Sequence, residues 1–250
     1  MKPIQLTTHD GLKIAAHKLE GESPTTLFVP GFFSNMEGTK ATFLEKQCKK
    51  RGRAYIRFDY RGHGQSDGKF EDGTLTDWLN DTLLVLDELA DAPVVAVGSS
   101  MGGWIAVLAA LRRPDKICGL VGIASSPDFT EDIWHRRMTD QQQSVMNEQG
   151  YIAQPSEYRD EPIIITKRLL DSGKDHLLLH KKSLDFDIPV TLIHGMEDRD
   201  VPWQKSEKLN RLIGEEQSEL ILVPDGAHRL SRDKDLELID REIVKLLKKL

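Results

Sequence analysis

Short apolar runs with no polar alternation recur along the chain: Thr26-Leu27-Phe28-Val29, a run around Ile56, Val94-Val95-Ala96-Val97, Leu120-Val121-Gly122-Ile123-Ala124, Val190-Thr191-Leu192-Ile193 and Leu220-Ile221-Leu222-Val223. A strand with one wet face alternates apolar and polar residues. A strand that does not alternate is covered on both faces, which is the condition of parallel strands flanked by helices. Helix-length segments fall between these runs, at 41–51, 74–89, 101–111, 203–213 and 233–250. The pattern predicts a mostly parallel, doubly wound α/β sheet whose site lies at the C-terminal ends of its strands. Residues 4–8 and 12–19 add a hairpin that turns at Asp10-Gly11.

The alternation stops after Ser125 and resumes at Pro189. The stretch between is polar, with Gln141-Gln142-Gln143 and scattered prolines. Residues 128–186 therefore read as a helical cap inserted into a core formed by 1–127 and 187–250. Its Ile133, Trp134, Met138, Val145, Met146, Tyr151, Ile152 and Leu169 either line a channel or pack the cap onto the core. Trp134, Met138 and Trp203 are the side chains expected to contact a substrate.

Between the run at 94–97 and the helix that follows stands Gly98-Ser99-Ser100-Met101-Gly102. A strand that turns sharply into a helix forces its central residue into an unfavourable backbone conformation, and glycines two positions away on either side leave room for the passage. Ser100 sits at that centre; Ser99 has Val97 and Met101 at the corresponding places. A serine hydroxyl needs a base to become a nucleophile, and an imidazole base needs a carboxylate to orient it. In this architecture the chain order is serine, acid, histidine. Asp198 follows the run ending at His194-Gly195, with Glu197 and Asp200 as alternatives in the same loop, and His228 follows the last run in the turn-rich Asp225-Gly226-Ala227-His228. His194 reads as a hydrogen-bonded core histidine, and His63 as a turn-packing one. Backbone N–H groups of Met101 and Phe32 are the expected oxyanion donors, because Met101 starts the helix and Pro30, in the loop Pro30-Gly31-Phe32, has no N–H to give.

At 250 residues the chain suits one large domain. Its net charge of −6 argues against a nucleic-acid partner. Cys48 and Cys118 are the only cysteines and are expected to be unpaired, which fits a reducing compartment. The first residues lack the apolar core of a secretory signal, and no run approaches the length of a membrane span. A cytoplasmic location is expected, or a mitochondrial one if a transit peptide has been removed.

Pro30-Gly31-Phe32, Arg57-Phe58-Asp59-Tyr60-Arg61-Gly62-His63-Gly64-Gln65-Ser66-Asp67-Gly68, the serine turn, His194-Gly195-Met196-Glu197-Asp198 and Asp225-Gly226-Ala227-His228 together resemble the α/β-hydrolase superfamily. Gly38-Thr39-Lys40, Leu79-Asn80-Asp81, Gly102-Gly103-Trp104 and Val201-Pro202-Trp203 are similar, more closely, to its palmitoyl-protein thioesterase and acyl-glucuronide esterase branch, which is mitochondrial in animals and has bacterial relatives. The resemblance covers most of the chain and is weakest in the insertion. It implies Ser100, Asp198 and His228 as a triad and an S-acyl or ester substrate, either a small molecule or an S-acylated protein. No metal or organic cofactor is expected. Two other readings stand beside this one. A capped aminopeptidase would need an acidic site for the substrate amine, drawn from Glu131, Asp132, Glu157, Asp160 or Glu161; a non-catalytic ligand-binding α/β-hydrolase would leave the three residues idle.

Overall fold

The computed structural model describes residues 3–91, 93–156 and 159–250, with only the backbone course described at 156 and 159–161. Among them, β1 (Ile4–Thr7) and β2 (Lys13–Leu19) form the expected hairpin, followed by β3 (Glu22–Val29), α1 (Thr39–Lys50), β4 (Arg53–Phe58), α2 (Leu75–Leu89), β5 (Val94–Ser99), α3 (Met101–Arg112) and β6 (Ile117–Ile123). The next elements are α4 (Phe129–Asp132), α5 (Asp140–Gln149), β7 (Tyr151–Ser156), β8 (Arg159–Thr166) and α6 (Lys167–Lys174). The chain closes with β9 (Val190–Gly195), α7 (Gln204–Ile213), β10 (Ser218–Val223) and α8 (Asp233–Leu247).

Eight strands make one sheet in the order β1-β2-β4-β3-β5-β6-β9-β10, parallel from β4 to β10 and antiparallel at the β1-β2-β4 end. The central strands send alternate side chains to opposite faces. On β5, Val94 and Ala96 join a core with Trp78, Trp104 and Leu209, whereas Val95 and Val97 join a second core with Leu44, Ile239 and Ile243. Helices α2, α3 and α7 thus cover one face and α1 and α8 the other, and both faces are dry. Helix α3 is apolar on every side and buried from Met101 to Ala110. Among the described residues no helix is long and apolar enough to cross a membrane. Cys48 and Cys118 are both free, as expected.

The segment between β6 and β9 is helical only in part. It also carries an antiparallel hairpin of β7 and β8, with Ile152 opposite Ile165 and Gln154 opposite Ile163, which the sequence reading did not place. Pro155 and Pro162 obscured it, since proline within a run argues against a strand. In a two-stranded ribbon both strands are edges, and each can carry a proline on its unpaired side. Side-chain bonds tie the segment down: both Asp128 oxygens accept 2.8 Å bonds from Leu178 and Leu179 N–H, Trp104 Nε1 donates to His176 O at 3.0 Å, and Lys205 Nζ donates to Pro127 O at 2.7 Å. His176 is buried against Thr76 Oγ1 at 2.8 Å and is part of this seam.

The Arg57–Gly68 motif braces the loop after β3. Tyr60 Oη donates to Pro30 O at 2.9 Å, Met36 N–H to Asp59 Oδ1 at 2.6 Å, and buried Arg61 forks onto buried Asp81. His63 sits among Phe33, Tyr60, Phe70 and Trp78, its Nδ1 at 3.1 Å from Arg61 O and its Nε2 without a partner among the described residues. Burial in this cage, only partly offset by the Arg61 carbonyl, pulls its pKa from the ordinary 6.5 down to about 4. Because the folded ring resists protonation, the unfolded chain binds the extra proton between these values, so His63 stabilises the fold fully above about 6.5 and progressively less as the pH falls toward about 4. Urea unfolding of wild type and His63→Phe across this range should therefore converge as the pH drops, the variant lacking this part of the acid-side slope. Parallel stability curves would show that the ring does not titrate in this way.

Candidate active site

Ser100 stands between β5 and α3 with φ +56° and ψ −120°, a conformation that costs a non-glycine residue about 1–3 kcal/mol unless its surroundings impose it. Three backbone bonds impose it here: Ser100 N–H donates to Ile123 O at 2.8 Å, while Ser100 O accepts from Gly103 N–H at 2.9 Å and Ser126 N–H at 3.1 Å. The turn is possible only because α3 lies against the strands without side chains in between. A Cβ on Gly98 would stand 2.3 Å from Gly102 O, and one on Gly102 would stand 2.1 Å from Val29 O.

Asp198 lies in the loop after β9 and His228 in the loop after β10. Met196 N–H to Val223 O and Glu197 N–H to Gly226 O, both 2.9 Å, lash the two loops together. The His228 ring spans the gap between the other two side chains, with Nδ1 2.7 Å from Asp198 Oδ2 and Nε2 3.0 Å from Ser100 Oγ. Since a carboxylate only accepts, Nδ1 carries the proton and the neutral ring turns a bare Nε2 toward the serine hydroxyl. Of the two alternatives to Asp198, Glu197 is exposed, and Asp200 lies nearby in the cavity wall but is not the carboxylate bonded to His228 Nδ1.

Asp198 is fully buried at its side chain and collects four hydrogen bonds. Oδ1 accepts from Asp200 N–H at 2.9 Å and Val201 N–H at 2.8 Å, and Oδ2 faces His228 Nδ1 and His194 Nε2 at 2.7 and 3.0 Å. Burial pushes its pKa up, but the bonds from His194, His228 and Val201 outweigh that and hold the carboxyl well below the usual carboxylate range. His194 is the buried, hydrogen-bonded core histidine the sequence suggested. Asp198, Asp200 and His228 also present one atom each within 4.8 Å of one another. The oxygens of Asp198 are already saturated by N–H donors, so the group reads as a hydrogen-bonded pair beside a carboxylate and not as a metal centre.

Gly31 packs onto Ser100, a Cβ there standing 3.3 Å from Ser100 Cβ. Neither Phe32 N–H nor Met101 N–H has an acceptor among the described residues. Ser126, 3% exposed, places its Oγ 3.5 Å from Ser100 Oγ, a neighbour that sequence reasoning missed.

A cavity of about 800 Å³ opens over Ser100 and His228, within the roughly 300–1,000 Å³ of small-molecule sites. Phe32, Phe33, Phe129, Ile133, Ile163 and Ile165 give it apolar walls, and Lys40, Arg137 and Arg229 give it cations. Lys40 Nζ donates to Arg229 O at 2.5 Å, and desolvation together with Arg229 lowers its pKa to about 8. Trp134, Met138 and Trp203, expected to contact substrate, are not among the lining residues. Phe129, Ile133 and Arg137 line the cavity instead, from α4 and the π-helical turn Ile133–Arg137 that continues it, while Met138, extended after that turn, is buried in the core cluster and Trp134 is half-buried against it. Trp203 caps the start of α7, its carbonyl accepting from Ser206 and Glu207 N–H. Of the other channel candidates, Met146, Ile152 and Leu169 are buried core residues and Tyr151 is exposed. Ile163 and Ile165 were missed with their hairpin; the run Ile163-Ile164-Ile165 in a polar stretch was the available signal. Among the acidic residues an amine-binding site would use, Glu131 pairs with His135 and Asp132 with Lys205 and Arg136, while Glu157 and the side chains of Asp160 and Glu161 lie outside the described residues.

Residues 24–162 match the alpha/beta hydrolase fold family. The chain is 37% identical over 246 residues to palmitoyl-protein thioesterase ABHD10, mitochondrial, of Bos taurus, covering 98% of this chain and 80% of that protein. The Homo sapiens protein of the same name is 37% identical over 238 residues, covering 95% and 77%. Among solved structures, alpha/beta hydrolase domain-containing protein 10 from mouse superposes with a TM-score of 0.92 at 36% identity, covering 100% of this chain and 99% of that one. A putative hydrolase from Agrobacterium vitis S4 superposes with a TM-score of 0.92 at 36% identity, covering 98% and 97%.

A methyl group at Gly102 has nowhere to go, since backbone atoms of Val29 and Pro30 occupy its place. Gly102→Ala should destabilise the protein by about 1–3 kcal/mol, read as a lower urea midpoint at unchanged slope. An unshifted midpoint would mean that α3 can lift off β3 freely.

Proposed function

This chain belongs to the alpha/beta hydrolase fold family and is a hydrolase, and from that premise we propose that it cleaves acyl thioesters or carboxylic esters through Ser100, His228 and Asp198. The observation that carries the reading is the pair of contacts made by His228, 3.0 Å to the Ser100 hydroxyl and 2.7 Å to the Asp198 carboxylate. His228 Nε2 takes the hydroxyl proton as Ser100 Oγ attacks the acyl carbonyl, and Asp198 stabilises the imidazolium that forms. The N–H groups of Phe32 and Met101 receive the oxyanion, which supports their assignment as donors because each otherwise lacks an acceptor among the described residues. When the tetrahedral adduct collapses, His228 returns the proton to the leaving thiol or alcohol. Water, deprotonated by the same ring, then attacks the acyl-enzyme and releases the acid and Ser100. A thiolate leaves more readily than an alkoxide, so proton return matters less for thioesters.

Residues 128–186 act in this reading as a cap over a core of 1–127 and 187–250. The cap supplies Phe129, Ile133, Ile163 and Ile165 to the cavity that holds the acyl chain. Excluding water there strengthens each electrostatic contact at the oxyanion. The relatives named palmitoyl-protein thioesterase support an S-acyl substrate, a small thioester or an S-acylated protein. No step calls for a metal or an organic cofactor. The aminopeptidase reading is weakened by Glu131 and Asp132, which already serve other partners.

A fluorophosphonate probe should label the wild-type protein and leave Ser100→Ala unlabelled; labelling that survives the substitution would reassign the nucleophile. Asp198→Asn should keep the fold and lower kcat by about 10⁴-fold, and a loss under tenfold would remove Asp198 from the role of acid. Across a series of acyl thioesters, Ile163→Trp should reduce kcat/KM for long chains while sparing short ones. An equal effect at every length would take the acyl chain out of this part of the cavity.

A further inference from the structure

We propose that His194 is a positioning residue that clamps the Asp198 carboxylate under His228, with its own ring set by Ser206. His194 is the penultimate residue of β9 and is fully buried. Its Nε2 stands 3.0 Å from Asp198 Oδ2 and 3.0 Å from Val201 O. Neither oxygen can donate, so the proton is on Nε2 and is shared between them. The opposite nitrogen, Nδ1, is 2.7 Å from the hydroxyl of Ser206, itself fully buried on α7. The two acceptors facing Nε2 fix the tautomer, and the Ser206 hydroxyl donates to the lone pair this leaves on Nδ1, so that the buried nitrogen is satisfied and the ring is held in its plane.

The consequence is geometric. Asp198 Oδ1 is held by two backbone N–H groups of its own loop, and Oδ2 is held by a ring anchored in the sheet. With both oxygens pinned, rotation about the Cβ–Cγ bond would break the bonds at Oδ1 and at Oδ2 together, and Oδ2 stays where His228 Nδ1 finds it at 2.7 Å. A loop carboxylate thereby acquires the rigidity of β9 and α7, and the order passes from Ser206 to His194, Asp198, His228 and Ser100. Nothing in the bond-making steps requires His194 itself, which meets the reacting atoms only through Asp198.

This rests on the triad reading, and the test separates the two. Active sites are counted by fluorophosphonate titration, folding is checked by thermal unfolding, and kcat per labelled site and KM are measured on an activated acyl ester. His194→Phe keeps the ring shape and removes both bonds; kcat per site should fall about 10- to 100-fold with KM within threefold. His194→Gln, whose amide can donate toward Asp198 from a similar place, should recover at least a third of that loss on a logarithmic scale. Ser206→Ala removes only the hydroxyl that satisfies Nδ1 and holds the ring in its plane, and should lower kcat per site several-fold in the same KM-neutral way. If His194→Phe fails to fold, the Gln and Ser206→Ala variants decide. Full kcat per site in folded His194→Phe, or in Ser206→Ala, overturns the proposal, as does a loss confined to the number of labelled sites. In each of these failures Ser100→Ala remains inactive, whereas an active Ser100→Ala would bring down the triad reading instead.

Discussion

The close approach of α3 to the sheet is the constraint on which the rest of the site depends. Gly98 and Gly102 leave no side chains between helix and strands, so the chain can reverse within a single residue, and Ser100 is that residue. Its backbone is held in place by bonds from Ile123, Gly103 and Ser126, that is, from β6, from α3 and from the start of the long excursion toward β9. The strain at Ser100 is therefore distributed over three elements already fixed by burial. The serine hydroxyl is raised above the sheet edge because the backbone beneath it has no alternative.

Around that point the parallel topology brings together parts remote in sequence. Loops after β3, β5, β9 and β10 all emerge at the same edge, and each brings one element of the site: Phe32, Ser100 and His228 in the cavity wall and Asp198 buried beneath His228. Burial and hydrogen bonding then oppose one another at Asp198, and hydrogen bonding wins, leaving a carboxylate that is dry and charged. His63 shows the opposite outcome, since among the described residues its aromatic cage offers one carbonyl and no counter-charge.

How much of this was legible in the sequence follows from how local the determining physics is. The parallel strands β3 to β6, β9 and β10 could be read from unbroken apolar runs, the β1-β2 hairpin from its Asp10-Gly11 turn, and the five covering helices from the helix-length segments between the runs. Ser100, Asp198 and His228 were picked out by strand ends and turn residues, and the fold draws their side chains together across 128 residues. The excursion between β6 and β9 was less legible. Its hairpin contains prolines, and the turn Ile133–Arg137 is π-helical, so α-helical spacing does not tell which of its side chains face inward, and Ile133 and Arg137 line the cavity where Trp134 and Met138 were expected. The bonds of His194 to Ser206 and Asp198 depend on how α7 settles against β9, a tertiary matter that no local pattern encodes.

The Asp128 carboxylate, gripping Leu178 and Leu179 some 50 residues later, closes the stretch between them into a loop whose two ends meet at one doorway. Whatever lies beyond a closed doorway can be lengthened, shortened or exchanged over generations while the sheet inherits its geometry intact. In the reading proposed above, selection can thus alter which molecules are admitted without touching the apparatus that reacts with them, and the two properties can evolve at different speeds.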